Sequence, residues 1–198
     1  MDRVIVTDTQ YRMALAPMRT LADAGWAVTA AAFETTAPGA RLGFFSRDAR
    51  DTLLLPEDGE GFCAALEAAA GDDRPVLLCG NRKSMVLAMA NRARLERRLA
   101  LLLPSEAAMA AADDKGRMYQ TALRLGVPAP QTTCLSEHGS PDALERAVRY
   151  PCIIKYRNGE ALGLKPAARY AVVHERQAFL ENYARMDRLD PDPIVSDY

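Results

Sequence analysis

The chain has 198 residues, 49% of them hydrophobic and 26% charged, which is the range of an ordinary globular protein with one or two cores. A formal net charge of -1 and an isoelectric point near 6.2 exclude the bulk attraction to nucleic acid or anionic lipid that a strongly basic chain has. A small-molecule partner is the default expectation, with no nucleic acid and no membrane.

Met1-Asp2-Arg3 followed by Val4-Ile5-Val6 lacks the apolar stretch and cleavage site of a secretory signal. No segment approaches the roughly 18 apolar residues that span a bilayer, so a cytoplasmic protein is expected. Strand-like runs are predicted at Val4 to Thr7, Ala27 to Phe33, Thr52 to Leu55, Pro75 to Cys79 and Ala100 to Leu103. Helical stretches are predicted near Met13 to Ala24, Gly61 to Ala70, Ser84 to Arg98 and Glu106 to Leu125. Parallel neighbours cannot be joined by a tight turn, so this alternation implies a doubly wound α/β sheet.

Ser105 can cap the helix that follows it. Gly126 stops the same stretch and Pro128-Ala129-Pro130 forbids its continuation. Beyond this boundary a strand is expected at Gln131 to Leu135 and a helix near Pro141 to Arg149, started by Ser140-Pro141-Asp142. Strands at Cys152 to Tyr156 and Arg169 to Val173 can pair as an antiparallel hairpin across a polar, glycine-containing loop. Phe179, Leu180, Tyr183, Met186 and Leu189 recur at helical spacing. After Asp190-Pro191-Asp192-Pro193 a new strand starts at Ile194-Val195. A terminus so soon after that start is expected of a truncated chain, with a short closing edge strand as the alternative.

The cysteines (Cys63, Cys79, Cys134, Cys152) stand far apart, with only His138 and His174 to join them, so buried thiols are expected and no metal site. The stretch Arg82, Lys83, Arg92, Arg94, Arg97, Arg98 alternates with Met85, Leu87, Met89, Leu95 and Leu99. It reads as the wet face of a helix over a core face, not as a nucleic-acid track. No G-x-G-x-x-G follows the first strand, where Thr7-Asp8-Thr9-Gln10 stands, and no P-loop or G-x-S-x-G elbow occurs. A nicotinamide oxidoreductase is thereby disfavoured.

What remains is a constellation around two lysines. Asp113-Asp114-Lys115 is expected early in the long helical stretch, and Pro151-Cys152-Ile153-Ile154-Lys155 puts a lysine at a strand end, where an ammonium can meet a phosphate. The loop from Tyr156 to Lys165 adds Arg157, Gly159 and Gly163, whose backbone can approach an anion. Each has a plainer reading: a solvated helix residue, a surface charge and an ordinary hairpin connection. Gly80-Asn81-Arg82 follows the fourth strand at the carboxyl edge of the sheet, where a helix N-terminus would suit a substrate carboxylate.

Asp114-Lys115, then Pro151-x-x-x-Lys155 some forty residues on with its glycine-bearing loop, then Pro193-Ile194-Val195-Ser196-Asp197-Tyr198, together resemble the first half of an ATP-grasp enzyme. The resemblance implies a Rossmann-like preATP-grasp domain over residues 1–110, a connecting helix and linker over 111–130, and the small α+β lobe over 131–198. It implies ATP as cofactor, bound through Lys115, Lys155, Arg157, Gly159, Gly163, Ser196, Asp197 and Tyr198. Magnesium is expected only with a further lobe beyond Tyr198, and no catalytic residue is identified. The expected activity is a ligase that activates a carboxylate as an acyl phosphate for attack by an amine, with a homodimer compatible. The alternative is a noncatalytic nucleotide-binding or regulatory module of the same fold. Arg157, Glu160 and Lys165 depart from the family's loop, which is richer in glycine and serine.

Overall fold

The computed structural model describes residues 2–198, in two compact units, the first ending at Pro104 and the second spanning Ser105–Tyr198. In the first unit, β1 (Arg3–Val6), β2 (Ala27–Phe33), β3 (Asp51–Leu55), β4 (Val76–Leu78) and β5 (Ala100–Leu101) form one parallel sheet in the order β3-β2-β1-β4-β5. Alternate strand residues divide between two faces. Ile5, Ala31, Phe33, Leu55 and Leu77 join Phe62, Cys63 and Leu66 of α2 (Gly59–Ala70), while Val4, Val6, Val28 and Ala30 join Ala14 and Met18 of α1 (Arg12–Asp23). Helices on both faces explain why all seven residues of β2 are buried.

The stretch expected as one helix from Ser84 to Arg98 is two, α3 (Arg82–Ala90) and α4 (Arg92–Leu95), broken at Asn91, whose side-chain amide donates to the Leu87 carbonyl. The core assignment of Met85 and Met89 is corrected as well: the buried positions of α3 are Ser84 and Ala88, while Leu95 and Leu99 are fully buried. Small residues allow α3 to lie close to the sheet.

In the second unit, α5 (Glu106–Asp113) and α6 (Lys115–Arg124) replace the single helix expected from Glu106 to Leu125. Asp114 takes extended backbone angles and accepts a bond from Arg117 N–H, so it caps α6 and ends α5. Ser105 and Ser140 cap α5 and α7 (Pro141–Ala147) in the same way. Gly126 stands at φ +71 after the end of α6, the left-handed geometry that its missing side chain permits.

The second sheet contains β6 (Thr132–Cys134), β7 (Cys152–Lys155), β8 (Tyr170–Val173) and β9 (Ile194–Asp197), antiparallel, in the order β6-β9-β7-β8. The β7–β8 hairpin is the one read from the sequence. β9 is an interior strand paired on both sides, not an edge strand. One face of this sheet packs Cys152, Ile154, Val173 and Val195 on Leu144 of α7 and on Phe179, Tyr183 and Met186 of α8 (Arg176–Asp187). Leu189, expected on that face, lies past the helix end and is exposed.

No helix among the described residues is long and apolar enough to cross a membrane.

Candidate nucleotide site

The opposite face of the second sheet carries Lys155. In-register neighbours share a face, so the pairs Lys155↔Ile194, Lys155↔Tyr170, Ile153↔Ser196 and Thr132↔Ser196 put Ile153, Lys155, Tyr170, Ile194, Ser196 and Thr132 together. The Lys155 ammonium lies 5.5 Å from the centre of the Tyr119 ring, a cation–π contact. Tyr119 is one helical turn beyond Lys115, the first residue of α6. α6 therefore links the two lysines, although sequence reading put Lys115 inside a longer helix.

Lys115 stands at the positive end of the α6 dipole, where a cation is unfavourable by a few tenths to about 1 kcal/mol. Its backbone N–H and its ammonium both donate to the Arg157 carbonyl, each at 3.2 Å. Neither Lys115 nor Lys155 forms an ion pair among the described residues. An ammonium at the N-terminus of a helix makes a site of concentrated positive potential, suited to an anion.

Arg157 is differently placed. Its guanidinium donates to Asp114 Oδ1 at 3.1 Å, to Asp192 Oδ2 at 2.7 Å and to the Asp192 carbonyl at 2.8 Å. Its backbone N–H donates to Asp190 Oδ2. Burial opposes charge on the guanidinium, but the hydrogen bonds and charges of Asp192 and Asp114 outweigh it and raise its pKa. Burial likewise pushes the Asp192 carboxyl up, and hydrogen bonds from Ser136, Cys134 and Arg157 more than reverse it, so its pKa falls. Gly116, Tyr119, Asp190 and Asp192 were missed as site residues in the sequence. The available signals were a glycine directly after Asp-Lys and two acids in a proline-rich turn.

The loop after β7 is folded on itself. Gly163, at φ +68, donates its N–H to the Glu160 carbonyl at 2.9 Å, and Leu164 N–H reaches the Gly159 carbonyl at 3.3 Å. Gly159 is buried against Arg169, whose Nε donates to the Leu164 carbonyl. Both glycines thus serve the loop's own turn in this conformation.

Ser196, Asp197 and Tyr198 do not share one environment. Ser196 is 2% exposed, shares the Lys155 face, and its Oγ has no protein hydrogen-bond partner. Asp197 pairs with Cys152 on the other face, beside a cavity of about 200 Å³ lined by Thr133, His138, Val148 and Cys152. Tyr198 lies beyond β9 and is exposed.

In the first unit, Gly80 and Asn81 join β4 to α3, whose first residue is Arg82, at the point where the strand order turns back on β1. Open α/β sheets collect ligands at such a point. Here Gly80 N–H donates to Thr7 Oγ1 at 3.1 Å. The buried Asp8 carboxylate accepts from Thr7 Oγ1 at 2.7 Å and from the Ser84 hydroxyl. These bonds tie β1 to α3 with polar groups already satisfied. The Asn81 side chain makes no cap bond to α3.

No protein-family profile and no curated protein matches the chain. Solved structures do match in fold. The biotin carboxylase domain of the 2-oxoglutarate carboxylase of Hydrogenobacter thermophilus, a dimer in complex with MgADP, ADP and bicarbonate, superimposes with a TM-score of 0.65 at 14% identity. That match covers all of this chain and 44% of the domain. The biotin carboxylase domain of a single-chain bacterial carboxylase matches with a TM-score of 0.52 at 19% identity, over 89% of this chain and 42% of that one. Phosphoribosylglycinamide synthetase from Anaerococcus prevotii matches at 0.51 and 16% identity, over 100% and 45%. The chain spans less than half the length of these structures. They are ATP-grasp enzymes, and the chain has the fold of their N-terminal portion.

Proposed function

We propose that the chain is the N-terminal portion of an ATP-dependent ligase of the ATP-grasp kind, with the nucleotide bound through the second unit. The observation that carries this reading is the association of Lys115 and Lys155 with α6, both without a carboxylate partner among the described residues, within a lobe of ATP-grasp fold. The two ammoniums and the α6 N-terminus would face the phosphates and stabilise charge on the transferring phosphoryl group, which is the protein's main task in such chemistry. Gly159 and Gly163 would let the loop after β7 refold over the phosphates. The Ser196 hydroxyl and the backbone of Asp197 and Tyr198 would meet the base and ribose; the orphaned Ser196 Oγ fits a polar ligand on the Lys155 face.

In the reaction proposed for the whole protein, a carboxylate oxygen of the substrate attacks the γ-phosphorus of ATP. The bond to the bridging oxygen breaks, ADP leaves and an acyl phosphate forms. An amine then attacks the acyl carbon, phosphate departs and the amine loses a proton. Gly80, Asn81 and Arg82 at the edge of the first sheet are proposed to contact the carboxylate. No group of three or more His, Cys, Asp or Glu side chains among the described residues is arranged to hold a metal, and no step is assigned to magnesium. A cytoplasmic location is proposed with this activity.

A second reading, a noncatalytic nucleotide-binding or regulatory module, is favoured by one observation: the loop after β7 already spends its own donors internally.

Calorimetric titration with ATP, with and without magnesium, tests nucleotide binding. Loss of one charge-assisted contact costs about 1.5–3 kcal/mol, so Lys155→Ala should bind at least ~10-fold more weakly. Equal binding by the two proteins would put the nucleotide elsewhere. Acyl phosphate formation, trapped with hydroxylamine in the longer protein, would separate ligase from module.

A further inference from the structure

We infer that Arg157 is a positioning residue for Lys115, a clasp that holds the start of α6 against the turn before β9, and not a phosphate ligand. Its consequence for binding rests on the nucleotide reading above; the clasp itself does not.

Arg157 uses both its backbone and its side chain. Its carbonyl receives the Lys115 N–H and ammonium, and its N–H goes to Asp190. Its guanidinium bridges Asp114, the cap of α6, and Asp192, the turn residue two positions before β9. A planar fork with donors on separate nitrogens spans two carboxylates in a fixed geometry that the single nitrogen of a lysine ammonium does not reproduce. Gly116 is buried, and a Cβ there would lie 2.4 Å from Arg157 Nη1. The guanidinium is thus seated in the space left by that missing side chain.

Charge argues against a direct phosphate contact. Arg157 is neutralised between Asp114 and Asp192, and Asp114 also pairs with Arg117 at 3.7 Å, so the cluster carries no net positive charge to draw a phosphate. The unpaired ammoniums of Lys115 and Lys155 attract one. Arg157 therefore acts through Lys115: its carbonyl fixes the ammonium at the helix N-terminus, and its carboxylate partners fix the carbonyl.

The test uses the full chain and the variants Arg157→Ala, Arg157→Lys, Lys115→Ala and Asp192→Asn. Without nucleotide, amide hydrogen exchange at Lys115 should accelerate at least ~10-fold in Arg157→Ala and Arg157→Lys relative to α8, because local opening follows loss of local contacts. Unchanged exchange at Lys115 would overturn the clasp whether or not the chain binds ATP. With ATP, residues acting as one unit lose non-additively. Lys115→Ala and Arg157→Ala should each weaken binding about 10-fold, and the double variant should be no weaker than the worse single one. Multiplying losses, with Arg157→Lys close to wild type, would make Arg157 a phosphate ligand and overturn the inference. Asp192→Asn keeps the arginine and removes one anchor. The clasp predicts weaker binding of ATP, whereas a direct ligand freed of its carboxylate predicts tighter binding. Absence of ATP binding by the wild type would sink the nucleotide reading and leave the exchange result to decide the clasp.

Discussion

Replacing Gly80 by alanine should destabilise the first unit severely, although the residue has no left-handed backbone angle to require glycine. The added Cβ would lie 2.4 Å from the Thr7 carbonyl oxygen and 3.3 Å from the Ala14 Cβ. Ordinary contact begins near 3.4 Å, so β1 and the end of β4 must separate by about 1 Å, in a core that packs at crystal density. Overpacking of this kind costs about 1–3 kcal/mol. The movement also weakens the Gly80–Thr7 bond and the Thr7 N–H to Leu78 carbonyl bond, adding about 1 kcal/mol. A total of about 2–4 kcal/mol should lower the urea midpoint by about 0.7 M or more at slopes of about 1–3 kcal/mol per M. Trp26, the chain's single tryptophan, packs partly buried against the core around Met18, so its fluorescence reports unfolding of this unit alone. Gly39→Ala is the control: no atom lies within 4 Å of its Cβ, and reduced unfolded-state entropy should leave it neutral or stabilised by up to ~1 kcal/mol. A Gly80→Ala midpoint equal to or above wild type would refute the close approach of β1 and β4.

Acid should weaken the first unit through Glu67. Its carboxyl is held below its ordinary 4.5, first by the hydrogen bond from Arg94, which outweighs burial. A depressed pKa contributes stability above 4.5 that is lost as pH falls through the lower folded value. Glu67→Gln should flatten the pH dependence of the Trp26 transition below about 4.5, and an unaltered profile would assign the acid sensitivity elsewhere. Burial pushes the Cys79 and Cys152 thiols up to about 11, so at pH 8 a disulfide reagent should label both slowly in the folded chain and rapidly in denaturant. Fast labelling of native Cys152 would contradict its burial, and fast labelling of the half-buried Cys79 would contradict its raised pKa. Ser140→Ala removes the cap bond to Ala143 N–H and should cost about 1 kcal/mol, read by circular dichroism during thermal unfolding.

The alternating architecture was legible because strand and helix periods differ and because Ser105, Ser140 and Gly126 punctuate the helices as capping chemistry requires. The break at Asp114 was not. The run from Glu106 to Leu125 keeps high helix propensity on both sides of it, and an aspartate can sit inside a helix or cap one; the side-chain bond to Arg117 N–H is what selects the cap. The lysines stood out by their spacing, but that Lys155 lies over a residue of the helix that Lys115 begins depends on Tyr119, an aromatic with no motif of its own. The bridge from Arg157 to Asp192 spans 35 positions, and periodicity carries no information at that separation. Faces within β9 were legible once the register was known: Ser196 and Asp197 must point to opposite sides, and only Ser196 shares that of Lys155.

The central claim, that nucleotide phosphates meet Lys115 and Lys155, is most directly tested with an acyl-phosphate derivative of ATP. Such a reagent transfers its acyl group to the neutral amine of a lysine within reach of the phosphates, which loses a proton as the amide forms, and the chain offers Lys83, Lys115, Lys155 and Lys165 as targets. Peptide mass spectrometry should find Lys115 and Lys155 acylated and protected by excess ATP, with Lys83 of the first unit at the unprotected background. Labelling that is uniform across the lysines, or insensitive to ATP at Lys115 and Lys155, would contradict the account.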